Sequence, residues 1–434
     1  MIGSAPHPGG STSVALPLTY LATAAMAFVL AALALPGLSA ELSGHYYHPR
    51  LLALTHVVAL GWITLAIFGA TYQLVPVVIE RPLWSDRLAR WQLLAVVAGV
   101  LGMVGHFWTG RWDGLVWAAG LVGAGILLHV VNVLLSLRGL ARWTFTARSL
   151  ALALGGLALT VAFGLTLAAT HGRPAFSGNP LAAVHAHFHV ALLGWIVPMI
   201  LGVSGRVYPM FFVATDPDGR GARIQIAGLC LGVPAVVAGL LFDRLALIAP
   251  GAVAIASALA VHVVWVWQIA RHGKRPRLDW GLRFALTGTA CLLPAAGLGL
   301  ALGFGVVAGP RAALAYVILG LGGWVSLTII GMMLKIVPFL IWYRVYAPHA
   351  GRRPVPTLAQ LSWPAAERLA YACLTGGVLV LAGAAALAAP TAIAAAGLAV
   401  AVGALGFAAS LGRTLLSLIP GVAARPAAPV RARS

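Results

Sequence analysis

His185, His187 and His189 put three imidazoles within five residues of an otherwise apolar stretch, and His56 stands in a second such stretch. Neutral imidazole is a ligand for heme iron, copper and zinc. An uncharged ligand is also the least costly to hold inside hydrocarbon, where ionisable residues are functional candidates by default. On a helix His185 and His189 share one face, whereas His187 points about 200° away from its neighbours, so a single helix can serve two sites. Two imidazoles on one iron make a low-spin heme; a remaining histidine could hold a second heme with an open position, or a copper ion.

The elements that must carry these side chains follow from composition. In 434 residues, 61% are hydrophobic, only 9% are charged, and mean hydropathy is +0.96. Too little charge is present to cover a soluble protein. The chain reads as an all-α polytopic membrane protein, a single membrane domain over 1–434. Apolar runs fall near 17–39, 51–79, 91–109, 113–137, 147–170, 181–213, 222–241, 246–270, 282–307, 311–342, 367–389 and 391–417, which makes about twelve spans. The N-terminus up to Pro17 lacks a positive region before the first run, so that run is read as a retained helix and not as a cleaved signal.

A net charge of +19 would suit a nucleic-acid partner if it formed a stripe. Instead, the cations sit in ones to fives between apolar runs, which suits topology signals and anionic lipid and excludes nucleic acid. With both termini cytoplasmic, 22 of the 28 Lys and Arg face inward, against Arg50, Arg111, Arg173, Arg244 and Arg311 outside, with Lys335 left in a span. That orientation, in a bacterial-type inner membrane, brings the second and sixth spans in from the outside. His56, His185, His187 and His189 then lie roughly 6–12 Å from the outer helix ends, and His106, near the outer end of the third span, shares that level. His56, His106, His185, His187 and His189 are therefore the candidate metal ligands.

The chain also repeats itself. A Gly-Trp pair is followed by Gly eight residues after the first Gly and by Pro fifteen after it, at Gly61-Trp62, Gly69, Pro76; Gly194-Trp195, Gly202, Pro209; and Gly323-Trp324, Gly331, Pro338. These copies fall on spans 2, 6 and 10, which implies three pseudo-symmetric four-helix units over 17–140, 147–275 and 282–420. The offset of 133 between the first two carries His56 onto His189 and His129 onto His262, while the third copy has Ile318 at the first of these positions. His129 and His262 lie deeper, where a hydrogen bond to a neighbouring helix is the expected role. His7, His45, His48, His171, His272 and His349 read as loop or rim residues.

With these residues in place, the chain resembles subunit I of the heme-copper oxidases, the superfamily that includes the cbb3-type cytochrome c oxidases and the nitric oxide reductases. Gly69 with Leu74-Val75-Pro76 is similar to the end of that family's second helix, and Ala186-His187-Phe188-His189 followed by Gly194 and Gly202 is similar to its His-x-His helix. The resemblance implies twelve helices in three arcs and a low-spin heme bound by His56 and His189. It also implies a second heme facing His187, and electron transfer or reduction of oxygen or nitric oxide. The electron donor would be a separate subunit, cytochrome or quinol, since no C-x-x-C-H or copper-thiolate motif occurs here. The departures are specific. The His-x-His lies on the sixth span instead of the tenth, and both the family's copper-site sequence and its adjacent His-His pair are missing. Copper, and oxygen reduction with it, is in doubt on that ground, and the chain reads as a short, divergent branch.

Proton pumping finds little support, because a relay needs acids or hydroxyls across the membrane. Asp243 falls near an outer helix end, while Glu80, Asp86, Asp216, Asp218, Asp279 and Glu367 fall in or beside cytoplasmic loops. Lys335 is expected to snorkel inward. Cys230, Cys291 and Cys373 are too scattered for a disulfide framework. The alternative function is a non-enzymatic membrane protein that binds or transports a metal, or senses a gas, through the same histidines. A plain transporter lined by the repeat is a third reading. Whether the chain is an oxidoreductase stays open at the level of sequence.

Overall fold

The computed structural model describes residues 14–79, 82–170, 181–214, 219–275 and 277–419. His7, Glu80, Arg81, His171, Arg173, Asp216, Asp218, Arg425, Arg431 and Arg433 lie outside them. Among the described residues the regular structure is helical throughout, and twelve helices are long and apolar enough to cross a bilayer. The protein is a multi-pass membrane protein. We number the spans α1 (Ala15–Leu42), α2 (Pro49–Val77), α3 (Asp86–Thr109), α4 (Leu115–Ser136), α5 (Phe145–Ala169), α6 (Ala182–Phe212), α7 (Gly219–Phe242), α8 (Leu245–His272), α9 (Trp280–Gly303), α10 (Pro310–Val345), α11 (Pro364–Ala386) and α12 (Pro390–Leu416).

Helix starts are set by side chains that satisfy orphan backbone donors. The Ser85 hydroxyl accepts from Leu88 N at the head of α3, Thr144 from Ala147 N at α5, and the Asp279 carboxylate from Leu282 N at α9. Proline stands in the first turn of α2, α10, α11 and α12, where its missing N–H costs nothing. Gly110 closes α3 with φ 66°, a left-handed conformation that glycine adopts without steric penalty.

The chain divides into two compact units, one of residues 1–24 and 59–274 and the other of 25–58 and 275–434. In the first, α3 packs with α4 and α7 with α8 as antiparallel hairpins; in the second, α11 packs with α12 in the same way. A glycine stands at a close approach in each hairpin. A Cβ on Gly99 would meet Val122 Cγ2 at 2.7 Å, one on Gly232 would meet Ile255 Cγ1 at 2.7 Å, and one on Gly377 would meet Val400 Cγ2 at 2.9 Å. Small residues at the crossing let backbones approach where no hydrophobic effect drives helices together.

The second glycine of each sequence copy has one common job. Gly69 packs against Tyr20 of α1, Gly202 against Ser149 of α5, and Gly331 against Gly281 and Ala285 of α9. In all three copies, then, the glycine receives a span from the same unit. The Gly-Trp pairs share a feature that hydropathy cannot reveal. They lie inside π-helical stretches, Val57–Thr64 in α2, Val190–Ile196 in α6 and Ile318–Ser326 in α10. Such widened turns are rare and occur disproportionately at functional positions. Trp62, Trp195 and Trp324 are all buried.

Candidate functional site

His56 and His189 are the residues immediately before the first two π-helical stretches. Each ring is tied to its own helix in the same way, His56 Nδ1 to Leu52 O at 2.7 Å and His189 Nδ1 to His185 O at 2.7 Å. A carbonyl oxygen only accepts, so Nδ1 must carry the proton in both rings and Nε2 must carry the lone pair. This is the state of a metal-ligating imidazole, whose second nitrogen typically donates to a backbone carbonyl that fixes tautomer and ring orientation. His272 bonds Gln268 O in the same manner at 2.9 Å, but at an exposed helix end with no π-helical stretch after it. His56 belongs to the second unit and His189 to the first.

His185 and His187 share α6 with His189, and all three are half-buried. His185 supplies the carbonyl that holds His189. His187 faces α5, where Gly164 makes room for its ring; a Cβ on Gly164 would come within 3.2 Å of His187 Cε1. His106 is engaged locally. Its Nδ1 lies 3.0 Å from Arg111 O in the turn that ends α3, and its ring packs on Gly114. Among the described residues no three His, Cys, Asp or Glu side chains converge as a metal-holding group.

The deeper histidines sit in a second set of polar positions that sequence spacing identifies only in part. His129, fully buried, donates from Nδ1 to the Tyr72 hydroxyl oxygen at 3.0 Å and stacks on Phe68 at 3.8 Å between centroids. The Tyr72 hydroxyl also bonds the amide oxygen of Gln92, and Tyr20 donates to Ala89 O at 2.6 Å. The hydrogen bond from a neighbouring helix expected for His129 is therefore present. For His262 it is not, since among the described residues neither ring nitrogen has a hydrogen-bond partner although the residue is 1% exposed. The offset of 133 that relates the two histidines also carries Gln92 onto Gln225, and that match is the sequence signal for these two glutamines.

The charged residues of the second unit have partners that sequence spacing does not reveal. Lys335, expected to snorkel inward, ends on a carboxylate at the head of α9. Its Nζ pairs with the Asp279 carboxylate at 2.5 Å, and that carboxylate also receives Arg275 at 2.8 Å while capping α9. Gly281 clears a path for the lysine stem, since a Cβ there would lie 3.0 Å from Lys335 Cδ. Glu367, expected in or beside a loop, stands in the first turn of α11, where it is buried and accepts from Ser410 Oγ at 2.9 Å and Trp363 N at 3.3 Å. The cysteines are free, as their scatter implied.

Comparison with protein-family models and with curated proteins returns no match. The functional reading therefore rests on the chain's own residues.

Proposed function

We propose that the protein is a heme-binding redox protein of the inner membrane, of the heme-copper oxidase type, in which His56 and His189 each present Nε2 to heme iron. One observation carries this reading. Two imidazoles at matching positions in the sequence repeat have their Nδ1 protons committed to a carbonyl one turn back, and each stands at the threshold of a π-helical stretch. The donor chemistry fits the group. Neutral imidazoles in a fixed tautomer bind ferrous and ferric heme without adding charge to the membrane interior, and bis-imidazole ligation needs only two protein donors. The heme would supply one-electron chemistry.

The chain's own residues account for the rest. Leu52 O and His185 O orient the two rings; the second-unit ion pairs lie apart from them in sequence and take no part in ligation. His187, turned to the opposite face of α6 and cleared by Gly164, is the candidate for a second heme. Electrons come from a separate subunit, cytochrome or quinol, and the excess of inward cations supports cytoplasmic termini in a bacterial inner membrane. Whether oxygen or nitric oxide is reduced is a matter for turnover assays.

A pyridine hemochrome spectrum with metal analysis on purified protein is the test. Stoichiometric heme is expected, with a low-spin spectrum lost in both His56→Ala and His189→Ala while His106→Ala retains it. Colourless protein without iron sinks the proposal, and bound metal without porphyrin turns it to the metal-binding or transport alternative.

A further inference from the structure

The three helical hairpins can be aligned on their packing alone. Gly99 faces Val122, Gly232 faces Ile255, and Gly377 faces Val400. Seven residues before each glycine and seven after each partner lies one further pair, namely Gln92 with His129, Gln225 with His262, and Ala370 with Phe407. All six side chains are buried. The third hairpin solves this position with apolar groups. The first engages one polar atom of each residue through a phenol, because the Tyr72 hydroxyl bonds both Gln92 Oε1 and His129 Nδ1, while Gln92 Nε2 and His129 Nε2 have no partner among the described residues.

The second hairpin has neither solution. The residue 133 after Tyr72 is Gly205, and what lies against Gly205 is the ring of Phe145, 2.8 Å from a Cβ placed there. An aromatic carbon offers no hydrogen bond of the kind these groups need. Among the described residues, Gln225 Oε1 and both ring nitrogens of His262 are buried without a partner, on side chains 3% and 1% exposed. A neutral imidazole always carries one N–H and one lone pair, and a polar group left unsatisfied in an apolar interior costs about 1–3 kcal/mol. Gln225 and His262 thus place three such atoms at facing positions of the hairpin, and the Trp265 ring stacks 6.0 Å from His262.

We propose that the Gln225–His262 pair between α7 and α8 is a binding site for internal water, which takes the role that the Tyr72 hydroxyl plays in the first hairpin. A water there accepts from the His262 N–H and donates to Gln225 Oε1, and a second donates to the other ring nitrogen. Buried waters characteristically make two to four such bonds in polar pockets. Gln225 is the acceptor that makes the site distinct from a lone buried histidine.

High-resolution density of the full chain in a nanodisc tests this. Expected is an oxygen within hydrogen-bond distance of both Gln225 Oε1 and a His262 nitrogen; the two side chains in direct contact, with no oxygen between, overturns the proposal. A stability cycle gives an independent readout. His262→Phe strands Gln225 and lowers the unfolding midpoint, whereas His262→Phe with Gln225→Ala, the composition of the third hairpin, recovers that loss. X-ray radiolytic labelling in 18O-water should then mark Trp265 in the wild-type chain and lose that mark in the double variant. Additive losses in the cycle, or labelling unchanged by the double substitution, refute the inference.

Discussion

Replacing Gly156 by alanine inserts a methyl group of α5 into the backbone of α6. The added Cβ would overlap the carbonyl group of Gly194 and lie 2.9 Å from its Cα. Ordinary carbon–carbon separations begin near ~3.5 Å, so relieving the crowding at that one carbon parts the helices by about 0.6 Å, and the carbonyl demands more. Parting them loosens the same seam further along, where Thr146 donates to Gly202 O at 2.9 Å and Gly202 packs on Ser149. Overpacking costs about 1–3 kcal/mol when side chains can yield. Here the obstruction is backbone, so about 3 kcal/mol is expected, roughly a hundredfold in the folded-to-unfolded ratio. Two neighbours serve as controls. Among the described residues, nothing lies within 4 Å of a Cβ on Gly155, and a Cβ on Gly194 meets only ordinary van der Waals neighbours, the nearest at 3.5 Å on Gly156. Gly155→Ala should therefore be neutral or slightly stabilising and Gly194→Ala should cost less than about 1 kcal/mol. Unfolding of the detergent-solubilised chain, followed by tryptophan fluorescence, orders the three. If Gly156→Ala is as stable as Gly155→Ala, or Gly194→Ala is the worst of the set, the packing argument fails.

Glu367→Gln keeps an oxygen to accept from Ser410 and Trp363 and should change the unfolding midpoint little. Glu367→Ala strands both donors in a buried turn and should cost about 1–3 kcal/mol in the same assay. Val213, which ends α6 at φ 54°, is a β-branched residue in a conformation that disfavours it by about 1–2 kcal/mol; Val213→Gly should raise the midpoint, and a lower one would show that the side chain contributes packing instead. Burial pushes the phenols of Tyr46 and Tyr47, in the turn between α1 and α2, above their ordinary value of 10.0. Their contribution to stability is intact below that value and is lost as pH rises through the raised one. Phenolate absorbance in Tyr46→Phe and Tyr47→Phe variants should show the missing component on the late side of the alkaline titration.

Much of the architecture was legible because a bilayer imposes a simple demand, some twenty apolar residues per crossing with every backbone group satisfied internally. All twelve apolar runs became helices, with ends displaced by a few residues; the sixth, read as 181–213, is Ala182–Phe212, and the eleventh, read as 367–389, is Pro364–Ala386. Proline and capping residues moved the starts outward, as Pro364 does for α11. The repeat was legible in Gly, Trp and Pro spacing, because close packing restricts residue type at a crossing. Ligand candidates stood out since histidine is costly in hydrocarbon unless it is used.

What sequence alone determined, then, is the number of crossings and the positions where small residues and imidazoles recur. Tertiary structure decided how those residues are engaged. Hydropathy is blind to backbone pitch, so only the structure reveals the π-helical stretches that follow His56 and His189. Spacing ranks Gly194 above Gly156, yet the crossing makes Gly156 the intolerant partner, because steric cost depends on where the Cβ vector points. Lys335, Asp279 and Glu367 lie far apart in the chain or at helix ends, and electrostatic pairing is a matter of distance in space. The same holds for His129 and His262, equal in sequence position but different in fate, since one meets a tyrosine hydroxyl and the other does not.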